Sequence, residues 1–563
     1  MTDARHMGHM APLVRTAART ARTGTLPPLT FSQYRRFADE GDRLGYEEVY
    51  FRRRAHVTAL AAEQLVEPGA DTAALEDALW SVCDEYTWAL PAHETHATAF
   101  DRGMDQCLDL FAALTAHLLA ETVQGCGDRL DARVAARVRG AVEHRVLTLL
   151  ADDDRPLLWE DWPHNWAAVC GGAAGLAALA LWEPGPRLDR LLARVRAGMR
   201  TYLSGFAADG GCAEGVGYWA FGFAHFVYFA EELRERTGED LLDEPRVRDV
   251  AGFPAAVHLG DGLFPAFSDA QERPELPAGL AHRLLERLGV RLPAVPRATA
   301  LPRDWGDLSR TLWWGAPPLP DPAGAPDPGE GTRRLADLEW VVDRGAGRAF
   351  AAKGGHNAEP HNHNDLGHFV LCAAGEALLT DLGAGEYRKG SFDDATRYAF
   401  LHNSSLGHSV PVVAARPQSP GRRHAARVLR YEPVPDGVDY TLDLTAAYDV
   451  PGLTSLRRGF RWRRGPGGLV LTDEVTLGRG LALDEVFISR LPPERGSDGT
   501  VVWRGSRAEA RLSLPDGCTA HPEAVATTDH DGHPDTVHRL RLRFELPVGV
   551  SVLRFAFTLH EAA

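Results

Sequence analysis

The stretch GGHNAEPHNHNDLGHF, Gly354 to Phe369, crowds four histidines and two acids into one short segment. Imidazole does two kinds of chemistry near neutral pH: it ligates a metal through a ring nitrogen, and it moves protons. If the segment is a strand, His361 and His363 project to one face, because side chains two residues apart share a side. A zinc ion takes three or four nitrogen or oxygen ligands. Downstream candidates are Asp381 in LLTDLGAG and His408 in NSSLGHSV. A metal site, an acid/base site and a polar loop are the three alternatives that these residue types allow.

Two earlier segments bear on the same chemistry. In WEDWPHNWAAVC, His164 and Asn165 stand at the mouth of an apolar helix, where free backbone N–H groups and the positive dipole end favour an anion. In DGGCAEGVGYWAFG, Tyr218 starts a second apolar helix after a Gly-rich turn. The bland alternatives are an Asn helix cap and a core tyrosine. One reaction uses all three groups. Cleaving a 4-linked uronic acid by β-elimination needs the C6 carboxylate neutralised, a base at C5 and an acid at the O4 leaving group. An amide or imidazole donor stabilises the carboxylate as it gains enolate character. A tyrosine and a histidine can divide the proton transfers.

These groups must be positioned by two kinds of element. From about residue 30 to 310 the pattern is helical. Cys107, Leu110, Phe111, Leu114 and Leu118 follow helical spacing, as do Leu188, Leu191, Leu192, Val195, Met199 and Tyr202, and both sets predict amphipathic helices that bury one face. Between them lie WAAVCGGAAGLAALAL and VGYWAFGFAHFVYFA, apolar all round and hence interior. The alternation suggests an array of helical hairpins; without a repeat period, closure into a ring does not follow from the pattern. The Pro/Gly-rich segment GAPPLPDPAGAPDPGEG predicts a linker. After it the period becomes two: Tyr440, Leu442 and Leu444 alternate with polar residues, as do Leu540, Leu542, Phe544 and Leu546, and FRWRRGPGGLVLTDEVTL reads as two strands around a turn. The expected division is an extension over 1–30, a helical domain over 31–314, a linker over 315–333 and an antiparallel β-sandwich over 334–563.

Composition sets limits. A length of 563 residues implies more than one core. A net charge of −16 argues against general nucleic-acid binding, which wants a basic face. The seven cysteines include no CxxC pair, so neither a disulfide framework nor a thiolate zinc cluster is expected. The N-terminal residues lack the apolar core of a secretory signal, and a cytoplasmic location is the expectation. Trp166 to Trp182, rich in Ala and Gly, reads as a buried helix and not a membrane span.

The motifs HNW, DGGCAEGVGYWAFG, HNHNDLGHFVL, LLTDLGAGEY and NSSLGHSV, in that order, resemble the heparinase II/III-like polysaccharide lyases, a family that includes alginate and oligoalginate lyases. The resemblance implies an N-terminal incomplete (α/α) toroid followed by a C-terminal antiparallel β-sandwich. It implies β-elimination on a uronate-containing glycan, a glycosaminoglycan or alginate, giving an unsaturated uronate. Asn165 would neutralise the carboxylate with His164 beside it, Tyr218 would protonate the leaving group or also act as base, and His361 would neutralise charge or act as base. His363, Asp381 and His408 would hold a structural zinc; no organic cofactor is implied. Glu214, Trp219, Arg397 and His402 are the expected substrate contacts, together with Trp88, which could stack on a sugar or fill the core, the core being the safer reading, and with Tyr387 and Asn403 as further cleft candidates. The partner is a uronate-containing oligosaccharide or polysaccharide, with no nucleic acid or membrane; self-association is left open. A cytoplasmic enzyme would meet short chains and act exolytically. Rival functions are a uronate C5-epimerase, a non-catalytic carbohydrate-binding protein and a zinc-dependent hydrolase.

Overall fold

Helices that are apolar all round are interior helices. Asn165–Leu181, which carries the long Ala/Gly run, is buried along nearly its whole length. Its glycines let Val216–Thr237 approach closely: a Cβ at Gly172 would lie 2.8 Å from the His225 carbonyl oxygen, and one at Gly175 2.5 Å from the Phe229 ring. Pro186–Ser204 buries the stripe expected of it, Leu188, Leu191, Leu192, Val195, Met199 and Tyr202. Leu110–Cys126 differs from its expectation. The Asp109 carboxylate caps it by accepting the Ala112 N–H at 2.7 Å, so Cys107 precedes the helix, which is buried on nearly every side.

The computed structural model describes residues 8–293, 295, 300–315, 329–465, 467–496 and 499–561. Two compact units emerge. One comprises Met1–Phe206, Tyr218–Ala251 and Glu275–Gly324; the other comprises Ala207–Gly217, Gly252–Pro274 and Ala325–Ala563.

In the first unit, Leu110–Cys126 packs against Leu44–Val66, Asn165–Leu181 and Trp305–Trp314. From Trp305–Trp314, the Trp305 indole N–H and the Arg310 guanidinium both donate to Glu121 at 2.7 Å. The Tyr228 hydroxyl donates to Asp307 on the same helix at 2.7 Å. The last interior helix thus returns to the early ones, giving the ring closure that periodicity could not supply. Ala11–Thr23 packs on Leu44–Val66, with Arg22 paired to Glu63 at 2.6 Å, so from Ala11 on the expected extension belongs to the helical unit. Among the described residues no helix is long and apolar enough to cross a membrane.

The expected single boundary between 31–314 and 334–563 is replaced by an interleaved one. The segments Ala207–Gly217 and Gly252–Pro274 belong to the strand-rich unit. Reciprocal bonds fix the first of them there: Asp337 accepts from the Ala208 N–H at 2.9 Å, and Asp209 accepts from the Ala336 N–H at 2.7 Å. Of the expected linker, residues 316–328 lie outside the described residues.

In the strand-rich unit an eight-stranded antiparallel sheet, which includes Leu453–Arg463, Gly468–Leu477 and Gly549–Glu561, faces a five-stranded and a four-stranded sheet. The five-stranded sheet includes Arg348–Lys353 and Phe369–Ala373; the four-stranded one includes Leu481–Ser489 and Pro534–Leu546. Rings from the two smaller sheets meet rings of the large one: Phe350 on Trp462 at 5.6 Å, Phe369 on Phe460 at 5.8 Å and Phe487 on Phe557 at 5.1 Å. This is the two-layer packing of a sandwich. Arg458, fully buried, pairs with Asp473 at 2.7 Å and Glu485 at 2.5 Å and donates to the carbonyls of Gly367 and Ser409, anchoring the loops that carry the histidines.

Candidate active site and metal centre

The histidine segment is a loop and not a strand. Only His356–Asn357 is extended before Phe369–Ala373 begins, and His361 takes the left-handed conformation with φ 57°. The loop nevertheless aims both histidines at one group. Asp269 faces His361 Nδ1 at 2.7 Å through one oxygen and His363 Nε2 at 2.9 Å through the other. The Tyr387 hydroxyl donates to Asp269 at 3.0 Å, and an Arg397 guanidinium nitrogen lies 3.5 Å away. Burial pushes the Asp269 carboxyl up, but the bonds from the two imidazoles outweigh it and hold the group well below the usual carboxylate range. His361 Nε2 lies 3.5 Å from Glu214.

Behind His361 is a buried cluster. One ligand atom each from His363, Asp381 and His408 lies within 4.8 Å of the others. The other nitrogen of each imidazole is engaged: His363 Nε2 faces Asp269, and His408 Nε2 faces the His402 carbonyl at 2.8 Å. With those nitrogens donating, both Nδ1 lone pairs point inward, and His363 Nδ1, His408 Nδ1 and one Asp381 oxygen make no hydrogen bond. Orphaned buried acceptors, converging and oriented from outside by hydrogen bonds, are what a metal site needs. Two nitrogens and an oxygen suit zinc. His368 adjoins the cluster with Nε2 at 3.2 Å from Asp381, and Lys353 pairs with Asp365 at 2.7 Å. Burial pushes His368 down to about 4.

The Asp381 turn is seated against the Asp269 loop through Gly383, at φ 64°. A Cβ there would fall 2.2 Å from the Ala270 carbonyl oxygen.

The expected substrate contacts divide. Arg397 and His402 line a cavity of about 220 Å³ together with Asp269, Tyr387, Arg388 and Asn403. Arg397 is held by the carbonyls of Asn362 and Ser391 at 2.9 and 3.0 Å. Burial pushes His402 down to about 4, so it is a neutral ring at pH 7. Glu214 adjoins His361. The two tryptophans are corrections. Trp88 is 1% exposed with its indole N–H bonded to the Val82 carbonyl, and Trp219 is 0% exposed with its N–H bonded to the Val250 carbonyl. Neither presents a face to a sugar; both fill the helical core.

In the helical unit, His164 precedes Asn165–Leu181 in extended conformation and Asn165 is the first helical residue, 1% exposed. Tyr218 lies in the first turn of Val216–Thr237 and is half-buried. Gly222, four residues on and so on the same helical face, lies against Asn165: a Cβ there would sit 3.1 Å from both Cα and Cβ of Asn165. The helix that carries the phenol thus packs closely against Asn165 at its Cα and Cβ.

The sequence FPAFSDA, Phe264 to Ala270, suggests a loop that turns Asp269 toward the same cleft, but nothing in it signals a carboxylate that gathers groups from two later loops.

Residues 333–552 match the family model "Heparinase II/III-like, C-terminal". No curated protein matches the chain in sequence. Among solved structures, heparinase III is similar over 100% of this chain and 94% of its own, at 14% identity and a TM-score of 0.64. The heparan sulfate lyase HepC from Pedobacter heparinus is similar over 98% and 88%, at 11% identity and 0.58. The chondroitin AC lyase of Streptomyces coelicolor A3, solved with chondroitin sulphate, is similar over 99% and 79%, at 13% identity and 0.57. The C-terminal part of the chain is thus similar in sequence to the heparinase II/III-like C-terminal domain, and the chain as a whole is similar in fold to heparinase III.

Proposed function

We propose that this protein is a polysaccharide lyase that cleaves a 4-linked uronate-containing glycan by β-elimination, acting exolytically on short chains, with a glycosaminoglycan-type substrate favoured. The family model that matches residues 333–552 and the lyases that share the fold support this class of reaction. In the reaction the C5 proton leaves, the C4–O4 bond breaks, the departing oxygen takes a proton and a C4–C5 double bond remains in the uronate. Asn165, with His164 beside it, donates to the C6 carboxylate as negative charge moves onto it. Tyr218 protonates the leaving oxygen. His361 takes the C5 proton through Nε2, or Tyr218 does both when the hydrogen lies on its face. The observation that supports the proposal is that the helix bearing Tyr218 packs against Asn165 through Gly222.

A divalent ion, for which zinc is the proposed identity, would be held by His363, Asp381 and His408, where it would supply charge that ties three loops of the sandwich together. All three residues are at most 2% exposed, which disfavours a hydrolase in which metal-bound water meets the substrate.

The test is ultraviolet absorbance of the conjugated uronate during incubation with heparan, chondroitin and alginate oligosaccharides. A rise on one class supports the lyase and names the substrate. Exchange of the C5 hydrogen with solvent deuterium and no absorbance would replace it with an epimerase, and binding with neither would replace it with a carbohydrate-binding protein.

A further inference from the structure

We propose that Asp269 is a positioning residue that couples the metal cluster to His361, so that occupancy of the cluster sets the orientation of the imidazole that works on the substrate. This rests on the role given to His361 above.

Four side chains converge on this carboxylate. His361 and His363 take different oxygens at 2.7 and 2.9 Å, Tyr387 donates at 3.0 Å, and Arg397 stands at 3.5 Å. Asp269 is 5% exposed, and its loop is pinned by Ser268, itself left-handed at φ 63°, whose hydroxyl donates to the Ala213 carbonyl at 2.9 Å. Because one oxygen receives His361 Nδ1–H, the lone pair of neutral His361 is on Nε2, the nitrogen on the side of Glu214. Because the other oxygen receives His363 Nε2–H, the lone pair of His363 is on Nδ1, facing Asp381 and His408. One carboxylate therefore selects both tautomers. It also restrains a histidine with φ 57°, a conformation that surrounding contacts must hold. A shift of the His363 ring when the cluster fills or empties pulls on the same carboxylate that fixes His361.

The test uses the zinc-loaded full chain and Asp269→Asn, which keeps the shape but offers one acceptor in place of two. Three quantities are read: zinc affinity by competition with a chromophoric chelator, kcat and KM on a substrate the wild type cleaves, and the same constants in a His361→Gln background. Loss of an outer-shell partner lowers metal affinity about 10- to 100-fold. The expected result is a fall of that size, a fall in kcat with KM little changed, and almost no further fall in kcat when Asp269→Asn is added to His361→Gln. Unchanged zinc affinity, or kcat losses that multiply in the double variant, would overturn the coupling. Should Asp269→Asn not fold, His361→Gln alone decides: linkage is reciprocal, so a residue that is no ligand must change zinc affinity by about 5-fold, and an unchanged affinity refutes the proposal. If the wild type cleaves no uronate, the lyase assignment fails while the two affinity measurements still judge the coupling.

Discussion

Replacing Gly222 by Ala perturbs the Asn165 amide without touching its chemistry, and the size of the effect can be worked from contacts. The new methyl would lie 2.9 Å from the Tyr202 hydroxyl and 3.1 Å from both Cα and Cβ of Asn165. Ordinary carbon contacts begin at about 3.5 Å, so the neighbours must yield by roughly 0.5 Å. Tyr202 is 1% exposed and Asn165 begins a buried helix, so neither swings aside. Overpacking of this kind costs about 1–3 kcal/mol, and the better helix propensity of Ala returns about 1. A 1 Å misplacement costs about 100-fold in rate, so half of that corresponds to about 10-fold. Gly222→Ala should lower kcat about 10-fold while Tm falls by no more than about 8 °C. Gly140 supplies the control: it is an exposed glycine in Ala132–Val142 with nothing within 4 Å of where a Cβ would stand, and Ala there should add about 0.5–1 kcal/mol with kcat unchanged. Steady-state kinetics and thermal melts on the three proteins decide the matter. Full activity in Gly222→Ala would refute the placement of Asn165 beside the Tyr218 helix as a rate-determining feature.

Arg458→Met should lower stability by about 3–5 kcal/mol, because Asp473 and Glu485 would be left buried without their cation; a denaturant titration that shows less than about 1 kcal/mol would contradict the anchoring role. Acid should weaken the helical unit through His96, whose burial pushes it down to about 4. The unfolded chain protonates near pH 6.5, so stability is full above that pH and falls toward pH 4 by about 1.4 kcal/mol per pH unit for this one group. His96→Gln should flatten the dependence of unfolding free energy on pH by that amount, and an unaltered slope would show that His96 does not contribute. Stripping metal with a chelator should lower the melting temperature of the zinc-loaded protein and readdition should restore it, since an ion present at 100 times its Kd contributes about 2.7 kcal/mol; identical melts would mean that the cluster holds no ion in solution.

Local pattern carried most of the architecture. The all-round apolarity of Asn165–Leu181 and the stripe of Pro186–Ser204 are properties of contiguous residues, and both were legible. Ring closure was not, because Glu121 and Arg310 meet across 189 residues with no periodic trace. The interleaved boundary was hidden for a similar reason: Ala207–Gly217 joins the strands through paired carboxylate-to-backbone bonds, which leave no compositional mark. Within the site, Asp381 and His408 stood out because their types suit a metal, and the family resemblance singled out His363 to join them. Whether His361 and His363 stand on a loop or a strand was open in the sequence; the segment is a loop, since Asn and Gly neighbours tolerate left-handed turns. Asp269 was legible as a loop residue facing the cleft, but its bonds to the histidines were not, because it lies 92 residues before His361. Trp88 and Trp219 show the converse error: a tryptophan near site motifs is still most often a core residue, and each has its indole N–H satisfied by a carbonyl inside the helical unit.

The most direct measurement is the ultraviolet absorbance of product formed by the wild type and by Tyr218→Phe on the same uronate oligosaccharide, with substrate binding measured in parallel. The expected result is a steady rise for the wild type, a loss of at least about 100-fold in rate for the variant, as befits removal of a proton-transferring group, and binding that is little altered. A variant that forms the unsaturated product at the wild-type rate would contradict the assignment of Tyr218 and, with it, the proposed division of the elimination between the phenol, Asn165 and His361.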